Sequence, residues 1–179
     1  MSRLLLLIPA LAAGLHAGEW SQPVEVTLET ELAASYRAKV DGDYLVVEAK
    51  PGAGWHVYSM DNELRAEEAL KGKMSLGVDG PTQITVSGAL EPLGGWLQSE
   101  PHDYSKPAMQ WYTWGYEGAA LFATKVASKG SGPATIAIRG QACDAGRCKN
   151  VDVSFELAQT AVGGKPSLDL KPLIPVKTK

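Results

Sequence analysis

The sequence predicts an all-β fold, an antiparallel β-sandwich, and three observations carry that prediction. Short stretches in which apolar and polar residues alternate recur along the 179 residues, and a period of two marks a half-buried strand. Clusters of Gly, Pro, Asp and Ser separate these stretches, as turns require. Helix-forming runs between them are scarce. About eight or nine short strands in succession pair antiparallel in a sandwich, whereas a parallel sheet needs a crossover between strands.

The first residues have a different character. Met1-Ser2-Arg3 opens with a positive charge, Leu4 to Leu15 is almost wholly apolar, and His16-Ala17-Gly18 ends on small residues before Glu19. That order describes a secretory signal peptide over residues 1–18, cut after Ala17 or Gly18. A spanning helix needs about 20 apolar residues. This run is shorter and no other segment approaches it, so no stable membrane insertion is expected after cleavage. The expected location is periplasmic or secreted. Residues 19–160 are expected to form one sandwich domain, and 161–179, rich in Gly, Pro and Lys, a flexible carboxy-terminal tail.

Within the domain, Val24 to Leu28 alternates cleanly. Asp41-Gly42-Asp43 is a turn signal between Tyr36–Val40 and Tyr44–Ala49, which together read as a hairpin. Pro51 to Gly54 breaks the chain before Trp55-His56-Val57-Tyr58 resumes an extended pattern. Glu63 to Leu70, rich in Glu, Ala and Leu, is a helical turn or two. Ile84-Thr85-Val86 reads as a strand, and Ser87 to Tyr116 as a long irregular stretch, either functional or a cover for the core. Ala119–Val126, Thr135–Arg139 and Val151–Leu157 are the last strands, the final one with the cleanest alternation.

Charge and cysteine content narrow the function. The chain carries 17 basic against 20 acidic residues and no dense basic patch, which argues against a nucleic-acid binder. Its two cysteines, Cys143 and Cys148, are expected to pair in an oxidising compartment. They bracket Asp144-Ala145-Gly146-Arg147 between two predicted strands, where Gly146 permits a tight reversal. So small a ring stabilises by about 2 kcal/mol, against more than about 4 for a ring of some 100 residues. Arg139, Arg147 and Lys149 lie near the pair in sequence, and cations lower a thiol pKa; Asp144 acts the other way. Spacing and charge leave two roles open, a redox-active pair and a structural disulfide. Two sulfurs without nearby His make a poor zinc site.

Other residues have plainer readings. Trp55, His56 and Tyr58 are expected to pack the core and sheet face. His56 could exchange a proton near neutral pH, but nothing in sequence places it beside the cysteines. His102, with Glu100 and Asp103, reads as a solvated loop rather than a metal site. Trp96, Trp111, Tyr112, Trp114 and Tyr116 either cap the core and shield the disulfide or stack on sugar rings. The second option makes the chain a secreted binding or assembly module, possible as a carbohydrate binder, with a structural disulfide. No hydrolase constellation stands out.

Gly54-Trp55-His56-Val57-Tyr58-Ser59, then Gly80-Pro81-Thr82, then Gln141-Ala142-Cys143 with Cys148, resemble in order and spacing the amino-terminal periplasmic domain of the thiol:disulfide interchange protein DsbD family. The resemblance spans about Val24 to Leu157. It implies an immunoglobulin-like β-sandwich with a reversible Cys143–Cys148 disulfide, needing no cofactor and no metal. It also implies thiol:disulfide oxidoreductase chemistry. Electrons would come from thioredoxin-like periplasmic proteins fed through a membrane electron transporter, and pass to disulfide isomerases or cytochrome c maturation proteins. By the same resemblance Cys148 forms the mixed disulfide and Cys143 resolves it. Two places depart from the family pattern: Gly140, where a Tyr is usual, and Lys149-Asn150, where prolines are usual.

Overall fold

The alternating stretches fold into two antiparallel sheets in a computed structural model that describes residues 18–73 and 80–179. Apart from Gly18, the expected signal peptide lies outside the described residues. Strands β1 (Val24–Leu28), β2 (Glu31–Asp41) and β3 (Tyr44–Pro51) open the domain as a meander. β4 (His56–Tyr58) leads into helix α1 (Asn62–Leu70). The stretch expected to be irregular holds short strands: β5 (Gln83–Gly88) precedes it, then come β6 (Leu90–Pro92), β7 (Leu97–Gln98) and β8 (His102–Asp103). A 3-10 turn at Pro107–Met109 separates these from β9 (Trp114–Tyr116). The long strands β10 (Ala120–Ser128), β11 (Ala134–Cys143) and β12 (Cys148–Leu157) follow, and β13 (Ile174–Pro175) comes last.

One sheet runs β1-β2-β3-β10-β7-β13, with β6 also on β10; the other runs β12-β11-β4-β9-β8, with β5 also on β11. The inner face of the first sheet supplies Tyr36, Ala38, Val40, Leu45, Val47, Ala49, Phe122 and Val126 to the core. The second sheet supplies Val57, Ile136, Ile138 and Val151, and Trp55 joins them. Each large apolar side chain so buried stabilises the fold by roughly 1.5–3 kcal/mol. This is the all-β sandwich that the alternation predicted.

The β2–β3 hairpin turns at Gly42, whose φ of 64° suits glycine; a Cβ there would meet Gly164 O and Pro166 N at 2.8 Å. The turn therefore leaves room for the carboxy-terminal segment. That segment, expected to be a flexible tail, is bound along the sandwich. Asp41, with a fully buried side chain, accepts the N–H groups of Ser167 and Leu168 at 2.8 Å and the Ser167 hydroxyl at 2.9 Å. β13 adds to β7, and the Lys177 N–H reaches the Asp61 carboxylate at 3.1 Å. The composition of 161–179 has no alternation to announce this, because what holds it is two distant carboxylates and a two-residue strand pairing.

Candidate functional site

β11 and β12 pair without interruption from Ala134↔Leu157 to Cys143↔Cys148. The cysteines are thus the last cross-strand pair before the loop, with Cα atoms 4.1 Å apart and a disulfide between them. Their environments differ. Cys143 is 2% exposed and borders the core, whereas Cys148 is exposed. Of the two residues, Cys148 is the one that faces solvent.

The four-residue tip is shaped by Asp144. Its Oδ1 accepts the N–H groups of Gly146 at 2.8 Å and Arg147 at 2.7 Å, an Asx turn. Gly146 is not among the residues with positive φ, and a Cβ there would meet nothing. The Asp144 carboxylate, rather than glycine's freedom at 146, closes the reversal. The N–H bond from Gly146 and the bonds from Arg147 hold the Asp144 carboxyl below its ordinary range despite a small opposing desolvation.

Arg147 is already engaged. Its guanidinium donates to Asp144 at 2.7 Å and to Glu31, at the start of β2, at 2.5 Å, and lies 5.7 Å from the Trp55 ring centroid. Arg139 faces Asp152 across the ladder at 3.4 Å with both side chains largely exposed. Of the cations expected to favour a thiolate, these two are paired with carboxylates. Lys149 sits one step beyond the disulfide, opposite Ala142.

The three motifs, far apart in sequence, meet here. β4 pairs with the end of β11, so His56 lies opposite Cys143 and Val57 opposite Ala142. The Thr82 hydroxyl donates to the Tyr58 carbonyl at 2.6 Å, and the Gly80 N–H donates to the Gln141 side chain at 2.8 Å. Gln141 in turn donates to Asn150 at 3.2 Å. Gly140 has a physical explanation: at φ 154°, a Cβ would come within 3.0 Å of Pro81 O. A side chain there would sit on a strained backbone and press the 81–82 segment back by a few tenths of an ångström.

The loop between β8 and β9 lies across a cavity from the disulfide. The Asn62 side chain accepts the Trp114 N–H at 2.7 Å, and the Tyr104 N–H reaches Thr113 O at 2.9 Å. Between them Lys106 and Trp111 form a bridge around the 3-10 turn. Tyr104, Lys106, Met109 and Trp111 of this loop, with His56 and Tyr58 of β4, line a cavity of about 400 Å³ against both cysteines.

Sequence reading places the disulfide but not this lining. Tyr104, Met109 and Glu117 are brought to it around the β8–β9 pairing, and no local pattern marks them; His56 stands in the first motif, but the β4–β11 pairing is what places it beside the cysteines. Trp55 is buried in the core, as expected, and Trp96 packs against it. Trp111 is beside the disulfide, where shielding was one of two readings. His102 packs edge-on against Tyr104 at 4.6 Å. Among the described residues no group of three His, Cys, Asp or Glu is placed to hold a metal. No helix among them is long and apolar enough to cross a membrane.

No protein-family model matches the chain, and no curated protein sequence matches it. Among solved structures it is similar to the DsbD amino-terminal domain of Neisseria meningitidis in its reduced form. The identity is 16% over 72% of this chain and 87% of that one, with a TM-score of 0.50. A second match is the complex between the DsbD and PilB amino-terminal domains of the same organism, at 15% identity, 73% and 86% coverage and a TM-score of 0.41. At this identity the first likeness is one of fold, and it is the immunoglobulin-like sandwich that the sequence motifs imply.

Proposed function

We propose that this chain is a thiol:disulfide exchange domain that passes electron pairs through Cys143 and Cys148 between thioredoxin-like proteins. The observation that carries the reading is the asymmetry of the pair: one cysteine exposed at a hairpin tip, the other buried at the edge of the core, with both lining one cavity. A purely structural staple has no use for that arrangement, and a six-residue ring stabilises little.

In the oxidising direction the Cys148 thiolate attacks a partner disulfide and expels one partner thiolate. The Cys143 thiolate then attacks the Cys148 sulfur of the mixed disulfide and expels the second. Two electrons leave the domain, the partner becomes a dithiol, and the Cys143–Cys148 bond forms. The reverse sequence reduces the domain. The exposed position of Cys148 supports its role as the sulfur that partners reach, and the position of Cys143 opposite it in the ladder supports its role in resolution.

The finer reading follows the family resemblance. The domain works in the periplasm, is supplied by a membrane electron transporter through a thioredoxin-like protein, and delivers electrons to disulfide isomerases or cytochrome c maturation. The test is a redox titration of the protein together with trapping. The expected potential lies above about −300 mV, within reach of thioredoxin-like partners, whereas a structural bond lies below it. Cys143→Ala should accumulate a mixed disulfide through Cys148 with a thioredoxin-like protein. A potential below that limit, with no adduct, would overturn the reading.

A further inference from the structure

Resting on the exchange reading, we propose that His56 is the acid–base group of the site, taking the proton from the Cys143 thiol before it attacks and returning it when Cys143 leaves. Cys143 is 2% exposed, so water has little access to its proton. A thiolate formed there is disfavoured by burial and needs a local base or cation. His56 is the direct cross-strand partner of Cys143. Opposed residues in an antiparallel pair present their side chains on one face with Cβ atoms about 4.5–5.5 Å apart. Both also line the cavity that Cys148 borders.

The imidazole is positioned for this. Its Nε2 lies 3.0 Å from the Tyr58 hydroxyl, and the ring stacks on Tyr104 with centroids 5.7 Å apart. A phenol can donate or accept, so Tyr58 can accommodate either protonation state of the ring. The other ionisable groups around the cavity are Lys106 of the β8–β9 loop, Glu117 just after β9, Asp144 and Arg147 of the tip, and Tyr58 and Tyr104. Asp144 and Arg147 are bonded to each other, and Lys106 and Glu117 are exposed. Burial and the Glu117 charge hold Tyr104 above its ordinary pKa, so it stays protonated. His102 stands behind Tyr104, edge-on to it. Imidazole is the side chain whose ordinary pKa falls between about pH 5 and 8.

With Cys148 joined to a partner sulfur, neutral His56 accepts the Cys143 proton and becomes imidazolium. The Cys143 electron pair forms the bond to Cys148 Sγ, and the Cys148–partner bond breaks with its pair leaving on the partner thiolate. The proton passes from His56 to that thiolate or to solvent.

The experiment uses glutathione disulfide on the reduced protein, with acid quenching and mass spectrometry to follow the Cys148–glutathione adduct. In His56→Gln the adduct should decay about 10-fold or more slowly at pH 7. The gap should close at alkaline pH, where solvent base removes the proton. In a Cys148→Ala background, the thiolate absorbance of Cys143 should appear at least about one pH unit higher once His56 is Gln. Identical decay profiles, or an unmoved Cys143 titration, would overturn the proposal. Should His56→Gln not fold, the NMR titration of the His56 imidazole in Cys148→Ala serves instead. Its midpoint must move on adding Cys143→Ser, and a fixed midpoint overturns the proposal. If glutathione chemistry depends on His56 but no protein adduct is trapped, the relay reading alone fails. If adducts are trapped and His56→Gln behaves as wild type, this inference alone fails.

Discussion

Strand β2 ends in a carboxylate clamp at Glu31 and in another at Asp41, and the two clamps behave differently. At its start, Glu31 holds Arg147, which with Asp144 shapes the disulfide-bearing tip. At its finish, roughly 33 Å away at about 3.3 Å per residue, Asp41 holds Ser167 and Leu168 of the carboxy-terminal segment. At the tip Asp144 accepts two consecutive backbone N–H groups, those of Gly146 and Arg147, while Glu31 accepts the Arg147 guanidinium; at the far end Asp41 itself accepts the two N–H groups. The difference is water. The Arg147 and Glu31 side chains are 48% and 56% exposed, while those of Lys39 and Asp41 are 7% and 0% exposed. Exposed pairs are screened and contribute little, whereas a buried carboxylate stripped of its partners is costly. The two clamps thus leave the disulfide-bearing tip adjustable and fix the far end.

Removing the buried clamp should have the largest effect. Asp41→Ala strands Lys39 and three donors, and should lower stability by about 3–5 kcal/mol in a denaturant titration. A loss under about 1 kcal/mol would mean that the two ends are held alike.

Acid should separate the ends next. Burial pushes the Asp41 carboxyl up, but bonds from Ser167 and Leu168 and the Lys39 charge outweigh it and hold the group below its ordinary range. Asp61 is likewise lowered: burial is outweighed by bonds from Arg65, Gln98 and Lys177. A depressed folded-state pKa contributes stability above the unfolded value, near about 4, that is lost as pH falls through the folded one. The melting temperature should therefore drop below about pH 4, with protection of the Ser167 and Leu168 amides lost first. Asp41→Asn should flatten that dependence.

Reducing the disulfide comes third. Opening so short a ring should cost about 2 kcal/mol, seen as a modest fall in the denaturation midpoint of the dithiol form. A much larger fall would point to a staple rather than an exchange site. The smallest effect is expected at the tip clamp itself. Arg147→Gln should leave the melting temperature within error of wild type and remove the salt dependence of any reaction at Cys148.

Much of this fold can be read in the chain. Thr135 to Arg139 and Val151 to Leu157 alternate because one face of each strand meets the core, and they form the paired β11 and β12. Asp41-Gly42-Asp43 marks its hairpin because few residues other than glycine adopt that backbone. Ser87 to Tyr116 is not legible in this way. Its strands are two or three residues long, too short to show a period, and are held by distant side chains such as Asn62 on Trp114 and Asp61 on Gln98.

The sequence by itself determined the sandwich, the position of the cysteines at the end of a hairpin, and the order of the three motifs. Each of these is written in neighbouring residues, where backbone preference and strand periodicity act. Tertiary structure alone decided which sulfur is buried, that His56 stands opposite Cys143, that Arg147 is paired with two carboxylates, and that 161–179 is bound. Those depend on which strands become neighbours and on which charges are removed from water, and both are set by packing between residues far apart in the chain.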